Sequence, residues 1–517
     1  MGVAAMHIFH GTDYPTMFYG QGYMGTFEAY LGAALFRMLG ESVFSLRLGL
    51  VLLFALFLTS TYLLGCLLYS RRVAFIALVF LCLGSDRVVF KQVEVTGGYA
   101  ETLLFGSVAY LLASWLAITK QDSMHAPRRR WRYAAFGAWG LVAGLGLWND
   151  FLILPFIVTS AVLLLLCCWP EMRSWAGCVL VIGLVLGAAP LVAYNLRAPA
   201  DGDSLYWLSQ QRLRSGITVR GLAGTALVSI PTATSGTDLC WIQPDDAWPL
   251  SPTSTSHARL CSAVHAGWTA GLAGLGMLSL VLASSSLWLA CLRNRAAAIS
   301  ESEGRERTLL VARILLLLSA GLTLLLYLDS NAATLFPRQN ARYLEGILLT
   351  MPAILAPLCG DTFPGIERRA TGHRLWQGTR IAVGAIIALT LLLGTSGSIN
   401  SVSRAQQTWH DQARLVALLE RLDATRIYTD YWTCYSLAFQ SHERIVCDVL
   451  GDNLRQGQNR YLPYVALVQR AQHAYYVFTA QSHQASILVR RRPARYLGNI
   501  SGYLIYGPVT PSLMPKS

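Results

Sequence analysis

Ten separated apolar runs decide most of what this chain can become. They cover residues 46–69, 73–83, 99–119, 133–147, 151–169, 176–194, 266–292, 309–328, 343–358 and 381–393. Lipid cannot satisfy backbone N–H and C=O groups, so runs of this length predict α-helices that cross a bilayer. The second and fourth are short, and the second has room to continue past Gly84 as a helix leaving the bilayer. Charged residues are only 13% of the chain, and a soluble domain carries roughly twice that share. The expected fold class is mainly α: a polytopic α-helical membrane bundle of about ten helices, with a small extracytoplasmic C-terminal α/β domain.

Charge placement sets the sidedness. The chain holds 41 Lys and Arg against 28 Asp and Glu, a net +13. Arg71-Arg72, Lys120 with Arg128 to Arg130 and Arg132, Arg173, the 293–307 arginines and the 368–380 arginines fall in alternate connections. Positive loops stay in the cytoplasm, so both chain ends are expected outside. The excess charge thus reads as facing anionic lipid. No basic-aromatic module appears, so nucleic acid is not an expected partner.

Residues 1–395 read as the membrane domain, with an outer loop at 195–265 carrying possible helices at 204–215 and 220–231. Residues 396–517 change pattern. Helix at 414–422, strand at 426–429, helix at 431–440, and strands at 444–449 and 474–479 suggest an α/β domain. In an oxidising exterior, Cys240 can pair with Cys261 and Cys434 with Cys447; otherwise the four are free thiols. Gly271 to Gly276 lies inside an apolar run and reads as packing, not a nucleotide loop. No organic cofactor is expected. His7 and His10, spaced i, i+3, with Asp13 following, have the residue types of a metal set, but are expected to face water.

Residues 18–31, Phe-Tyr-Gly-Gln-Gly-Tyr-Met-Gly-Thr-Phe-Glu-Ala-Tyr-Leu, form a Gly- and Tyr-rich turn running into an apolar segment. Amphipathic aromatics suit a membrane boundary. With Asp13-Tyr14-Pro15 before and Leu35-Phe36 and Gly40 after, this segment resembles the first outer loop of GT-C type membrane glycosyltransferases. That class uses polyprenyl-phosphate sugars and includes protein mannosyltransferases and aminoarabinose transferases. The resemblance implies a bacterial inner-membrane enzyme and places Gln21, Tyr23 and Glu28 at the substrate pocket. It also implies a first span and an acidic pair upstream of Met1, so a truncated or mis-started gene product is expected, with a main catalytic aspartate missing.

A second stretch runs Lys91-Gln92-Val93-Glu94-Val95-Thr96-Gly97-Gly98-Tyr99-Ala100-Glu101. Paired glycines allow a tight turn or a close approach to a ligand, and Glu94 and Glu101 flank them. This segment resembles the family's second outer loop, where an acid helps to hold a divalent metal or the donor phosphate. The chain has no Asp-x-Asp there, which argues against the metal. The resemblance adds Gly97, Gly98 and Tyr99 to the pocket. Glu101 also suits a helix N-terminus, where the dipole favours an anion. Asp150 sits in a turn between two spans, as a catalytic acid or a helix cap. Arg342-Tyr343 resembles the family's late Arg-Tyr-Leu motif, whose basic group holds the lipid phosphate; Arg stays charged and binds phosphate oxygens in pairs. The alternatives for Arg342 are an interfacial anchor or a pair with Glu345. Tyr461-Leu462-Pro463-Tyr464 also matches a family segment and reads as structural.

Acids and bases therefore gather at one membrane face. The expected function is inverting transfer of a sugar from a polyprenyl-phosphate-linked donor to a hydroxyl of a glycan, lipid or protein, at the outer face. Glu101, Glu94 and Asp150 are the candidate catalytic acids; Arg342, Tyr343 and Lys91, with Arg87 nearby, would bind the donor phosphate. The rivals are a transporter or lipid flippase, whose charges sit near mid-membrane in inverted repeats, and an inactive scaffold.

Overall fold

A computed structural model describes residues 1–120, 126–199, 201–211, 216–240, 254–293, 301–359, 373–491 and 494–511. Among these, eight helices are long and apolar enough to cross a membrane, and the chain is a multi-pass membrane protein. They are Val43–Leu68, Tyr99–Ile118, Phe151–Met172, Trp175–Arg197, Ser256–Leu292, Ser302–Asp329, Pro337–Leu358 and Trp376–Arg421.

Two of the ten expected spans fall short. The second run is a helix, Arg71–Cys82, of 12 residues, about 18 Å long at 1.5 Å per residue. It does not continue past Gly84: Ser85 caps a new short helix, Asp86–Lys91. The fourth run lies in a 24-residue helix, Ala126–Asn149, whose apolar stretch is diluted by glycine. Those glycines have a packing role. A Cβ on Gly140 or Gly144 would strike the backbone of the facing Trp175–Arg197 helix, so the two helices meet backbone to backbone. At the other end of this helix, Arg132 is 4% exposed. Its guanidinium donates to Thr119 Oγ1 (2.7 Å), the Leu116 carbonyl (3.0 Å) and Glu171 Oε2 (2.5 Å). One buried cation thus ties three helices and satisfies one orphan carbonyl, that of Leu116.

The chain divides into two compact units. One comprises Tyr23–Gly25 and Leu50–Ile399 and holds most of the bundle. The other comprises Met1–Gly22, Thr26–Gly49 and Asn400–Ser517. In this second unit the expected α/β elements are present, and the helix expected at 414–422 is the end of one long helix, His373–Arg421. Strands β3 (Arg426–Thr429), β4 (Val446–Val449) and β5 (Ala474–Thr479) are parallel, and β6 (Tyr496–Ile500) and β7 (Tyr503–Val509) extend the sheet antiparallel, in the order β4-β3-β5-β7-β6. Near the amino terminus β1 (Met17–Phe18) and β2 (Gln21–Gly25) form a two-stranded hairpin. Disulfides join Cys240 to Cys261 and Cys434 to Cys447.

The loop at 195–265 is mostly helical where described, through Ser204–Gln211, Val219–Gly224, a π turn at Thr225–Ser229, and Ile230–Ala233. The helices expected at 204–215 and 220–231 are therefore shorter or broken, and residues 212–215 lie outside the described residues.

Candidate active site in the membrane bundle

The span Pro337–Leu358 contains ten residues of 3₁₀ helix, Ala341–Thr350. A 3₁₀ helix eclipses side chains three apart, so Arg342 and Glu345 share a face. The Arg342 guanidinium lies 5.7 Å from the Tyr99 ring centre and 5.2 Å from that of Tyr343. One of its nitrogens is 3.3 Å from the Tyr343 hydroxyl. The rings orient a planar cation whose fork fits an oxyanion.

Tyr99 arrives there through the glycine turn. Gly97 and Gly98 both have positive φ, +80° and +85°, and Gly98 begins the Tyr99–Ile118 helix. A Cβ on Gly98 would sit 2.7 Å from Asp150 Oδ2, so glycine is required both by conformation and by space. Asp150 Oδ1 accepts from the Leu152 N–H at 2.9 Å and caps the following turn. Burial pushes the Asp150 carboxyl up to about 6, against the opposing pull of that N–H and of Arg342. Gly25 of β2 approaches the same turn: a Cβ there would lie 2.6 Å from the Trp148 carbonyl. This brings the Tyr23–Gly25 stretch to the Asp150 corner.

Glu94 and Glu345 connect to Arg342 directly, and Glu101 connects to it through Asp150. Glu101 is fully buried and faces Asn149 and Asp150. Lys91 and Glu94 form an ion pair one turn apart, and Glu94 lies within electrostatic reach of Arg342. Glu345 faces Lys91, Glu94, Arg342 and Gln92. The alternative of a simple Arg342–Glu345 pair is not what forms: Arg342 sits on aromatic rings and shares Glu345 with Lys91. Gln21 and Glu28 belong to the other unit, where Glu28 is 3% exposed.

Three participants were not assigned a role from sequence: Gln92, Asn149 and Glu345. Gln92 and Asn149 are buried amides, at 3% and 1% exposure. The Asn149 amide faces Glu101 and the Gln92 amide faces Glu345, but none of these groups, nor Arg342 Nε, closes a hydrogen bond of good geometry. Buried polar atoms are normally satisfied, and each orphan carries a cost of about 1–3 kcal/mol. Eight such atoms belong to Gln92, Glu101, Asn149, Arg342 and Glu345, which makes this cluster the candidate site for a polar ligand. The sequence signal was present as Gln92 and Asn149 beside acids that were singled out.

The metal expectations are not supported by the donor geometry. His7 does not face water: its Nδ1 meets Tyr19 Oη at 2.7 Å and its Nε2 meets Glu443 at 2.8 Å. His10 Nε2 instead contacts Glu41 at 3.0 Å. Among the described residues, the one group of converging ligand atoms is Cys240, His257 and Cys261, and the two sulfurs there are joined in a disulfide.

The fold these elements build is shared with a solved membrane protein. Across its full length the chain is similar to ArnT from Cupriavidus metallidurans bound to undecaprenyl phosphate, with TM-score 0.54, 11% identity and 94% of that chain covered. The apo form of the same protein gives TM-score 0.42 at 14% identity, over 100% of this chain and 94% of that one. An oligosaccharyltransferase from Archaeoglobus fulgidus, in complex with zinc and sulfate, gives 0.46 at 14% identity, over 92% of this chain and 63% of that one. No family model and no curated protein matches the chain.

Proposed function

We propose that this chain transfers a sugar from a polyprenyl-phosphate donor to an acceptor hydroxyl, with inversion, at the outer face of a bacterial inner membrane. The observation that carries this reading is Arg342, laid against Tyr99 and Tyr343 among buried acids and amides that close no hydrogen bond of good geometry with one another. Fold similarity to a protein crystallised with undecaprenyl phosphate supports the donor class. The two disulfides support an oxidising compartment for the outer loop and the α/β domain.

In the proposed step the acceptor oxygen attacks the anomeric carbon as the bond from that carbon to the phosphate oxygen breaks. The acceptor proton passes to a carboxylate, and the lipid leaves as its phosphate with one more negative charge. Arg342 stabilises that developing charge, with Lys91 assisting through Glu94 and Glu345. We assign the proton acceptor to Asp150 among the three candidate acids, because it stands outside the apolar spans, against the Gly98 turn and within electrostatic reach of Arg342, and its carboxyl is held up to about 6. Glu94 is already paired with Lys91. Glu101 then acts behind Asp150, through Asn149.

The test is release of polyprenyl phosphate from a lipid-linked sugar donor by the full chain in nanodiscs. Arg342→Ala is expected to lower the rate by about 10²–10³-fold. Arg342→Lys should recover part of it, because charge returns without the planar fork. Unchanged release in Arg342→Ala would remove this site from the reaction, and liposome uptake of a solute would favour a transporter instead.

A further inference from the structure

In the second unit a chain of hydrogen bonds joins residues from both ends of the protein. Tyr19 Oη donates to Asp13 Oδ2 at 2.7 Å, and His7 Nδ1 meets the same hydroxyl at 2.7 Å. His7 Nε2 meets Glu443 Oε1 at 2.8 Å, and Tyr464 donates to that oxygen at 2.6 Å. His7 is 5% exposed and 436 residues from Glu443. Its ring also lies 5.0 Å from that of Tyr461.

These contacts can be counted in protons. A carboxylate only accepts, and a phenol has one proton to give. Tyr19 gives its proton to Asp13, so its oxygen accepts from His7 Nδ1. Glu443 accepts from Tyr464 and from His7 Nε2. Both ring nitrogens must then donate, which a neutral imidazole cannot do. Placing the extra proton on Asp13 or Glu443 leaves the total the same.

We propose that His7 is a positioning residue that clamps segment 13–22 to the α/β domain through a network holding one proton more than a neutral ring and two carboxylates supply. Segment 13–22 carries Tyr19, Gly20 and Gln21, so the clamp sets the first outer loop. Its bearing on sugar transfer rests on the function proposed above; the clamp itself does not.

The surroundings agree. The phenols stay protonated: burial, then Asp13, raises Tyr19, and burial, then Glu443, raises Tyr464. Burial alone would raise Glu443, but the hydrogen bonds from His7 and Tyr464 leave it lowered and ionised. Other groups facing the network are Tyr461 from the segment before the Leu462–Gln469 helix, and His10 on the same helix as His7. His10 and His442 both contact Glu41, at 3.0 and 2.8 Å. Glu443 itself is held in the left-handed region, φ +59°, a conformation that non-glycine residues keep only when surrounding contacts impose it.

Backbone hydrogen exchange of residues 13–22, in the full chain in nanodiscs, reads the clamp without any substrate. The clamped state binds one proton more than the open one, so protection should fall as pH rises, by about tenfold per pH unit on the alkaline limb. Glu443→Gln supplies an amide that can donate to one ring nitrogen, so a neutral ring then satisfies every contact. That variant should keep its protection and lose the pH slope. His7→Ala should lower protection at every pH. A wild-type profile flat from about pH 6 to 8.5, or a Glu443→Gln profile with the wild-type slope, would overturn the proposal. Since no donor or acceptor is involved, either failure leaves the transfer reading standing, and loss of transfer in Arg342 variants leaves the clamp standing.

Discussion

In the Arg342 cluster, Glu101 faces the Asn149 amide and Glu345 the Gln92 amide, all buried, without a hydrogen bond of good geometry between them. From Asp13 to Tyr464, by contrast, every link measures 2.6–2.8 Å. Both clusters are rich in acids and tyrosines. They differ in whether the protein itself completes the hydrogen bonds. A completed network fixes the chain's path, whereas an incomplete one keeps its donors and acceptors for something the protein does not supply. Composition alone would rank the two alike.

The comparison breaks most directly at Asp150. Asp150→Asn keeps an oxygen for the Leu152 N–H but cannot take a proton. Donor turnover should drop about 10²–10⁴-fold with little change in thermal stability. In the wild type, turnover should fall as pH drops through about 6, the value to which burial lifts this carboxyl, because the proton-accepting form is lost. A pH–rate profile checks this; an unshifted acid limb in a residually active Asp150→Asn would assign the base elsewhere.

A smaller effect is expected at Gly98. Its φ of +85° and the nearness of Asp150 Oδ2 make Gly98→Ala both strained and crowded. The backbone strain costs about 1–2 kcal/mol, seen as a lower Tm. Turnover should fall further than stability does if the turn positions Tyr99 against Arg342. Equal losses would mean that the turn is only a fold element.

The smallest functional effect belongs to Arg132, whose two terminal nitrogens are paired, whose Nε alone lacks a partner, and which touches none of the Arg342 cluster. Arg132→Met should cost about 1–3 kcal/mol in denaturant or thermal unfolding and leave turnover unchanged at permissive temperature. A turnover loss there would show that incomplete hydrogen bonding does not single out the active cluster.

Much was legible locally. The strand Arg426–Thr429, the helix Tyr431–Gln440 and the strand Ala474–Thr479 stand where alternation and turn residues put them. β6 and β7 were missed: Tyr496–Ile500 is largely exposed and lacks an apolar face, and its partner is recognisable only once the two pair. Counting apolar runs overstated the spans, because Arg71–Cys82 is stopped by Leu83 and Gly84 before it reaches bilayer length. The glycine pair at 97–98 was readable as a turn, but not that Asp150 fills the space above it.

By itself the sequence determined the solvent of this protein and the rhythm of its elements, because apolar length and period are local properties of a chain. It also placed Glu94, Glu101 and Arg342 at the edges of those elements. Only the tertiary structure decided that Asp150 and Arg342 share one buried polar cluster, or that His7 reaches Glu443 across 436 residues. Those pairings depend on how helices and hairpin pack in three dimensions, and no periodicity along the chain encodes them.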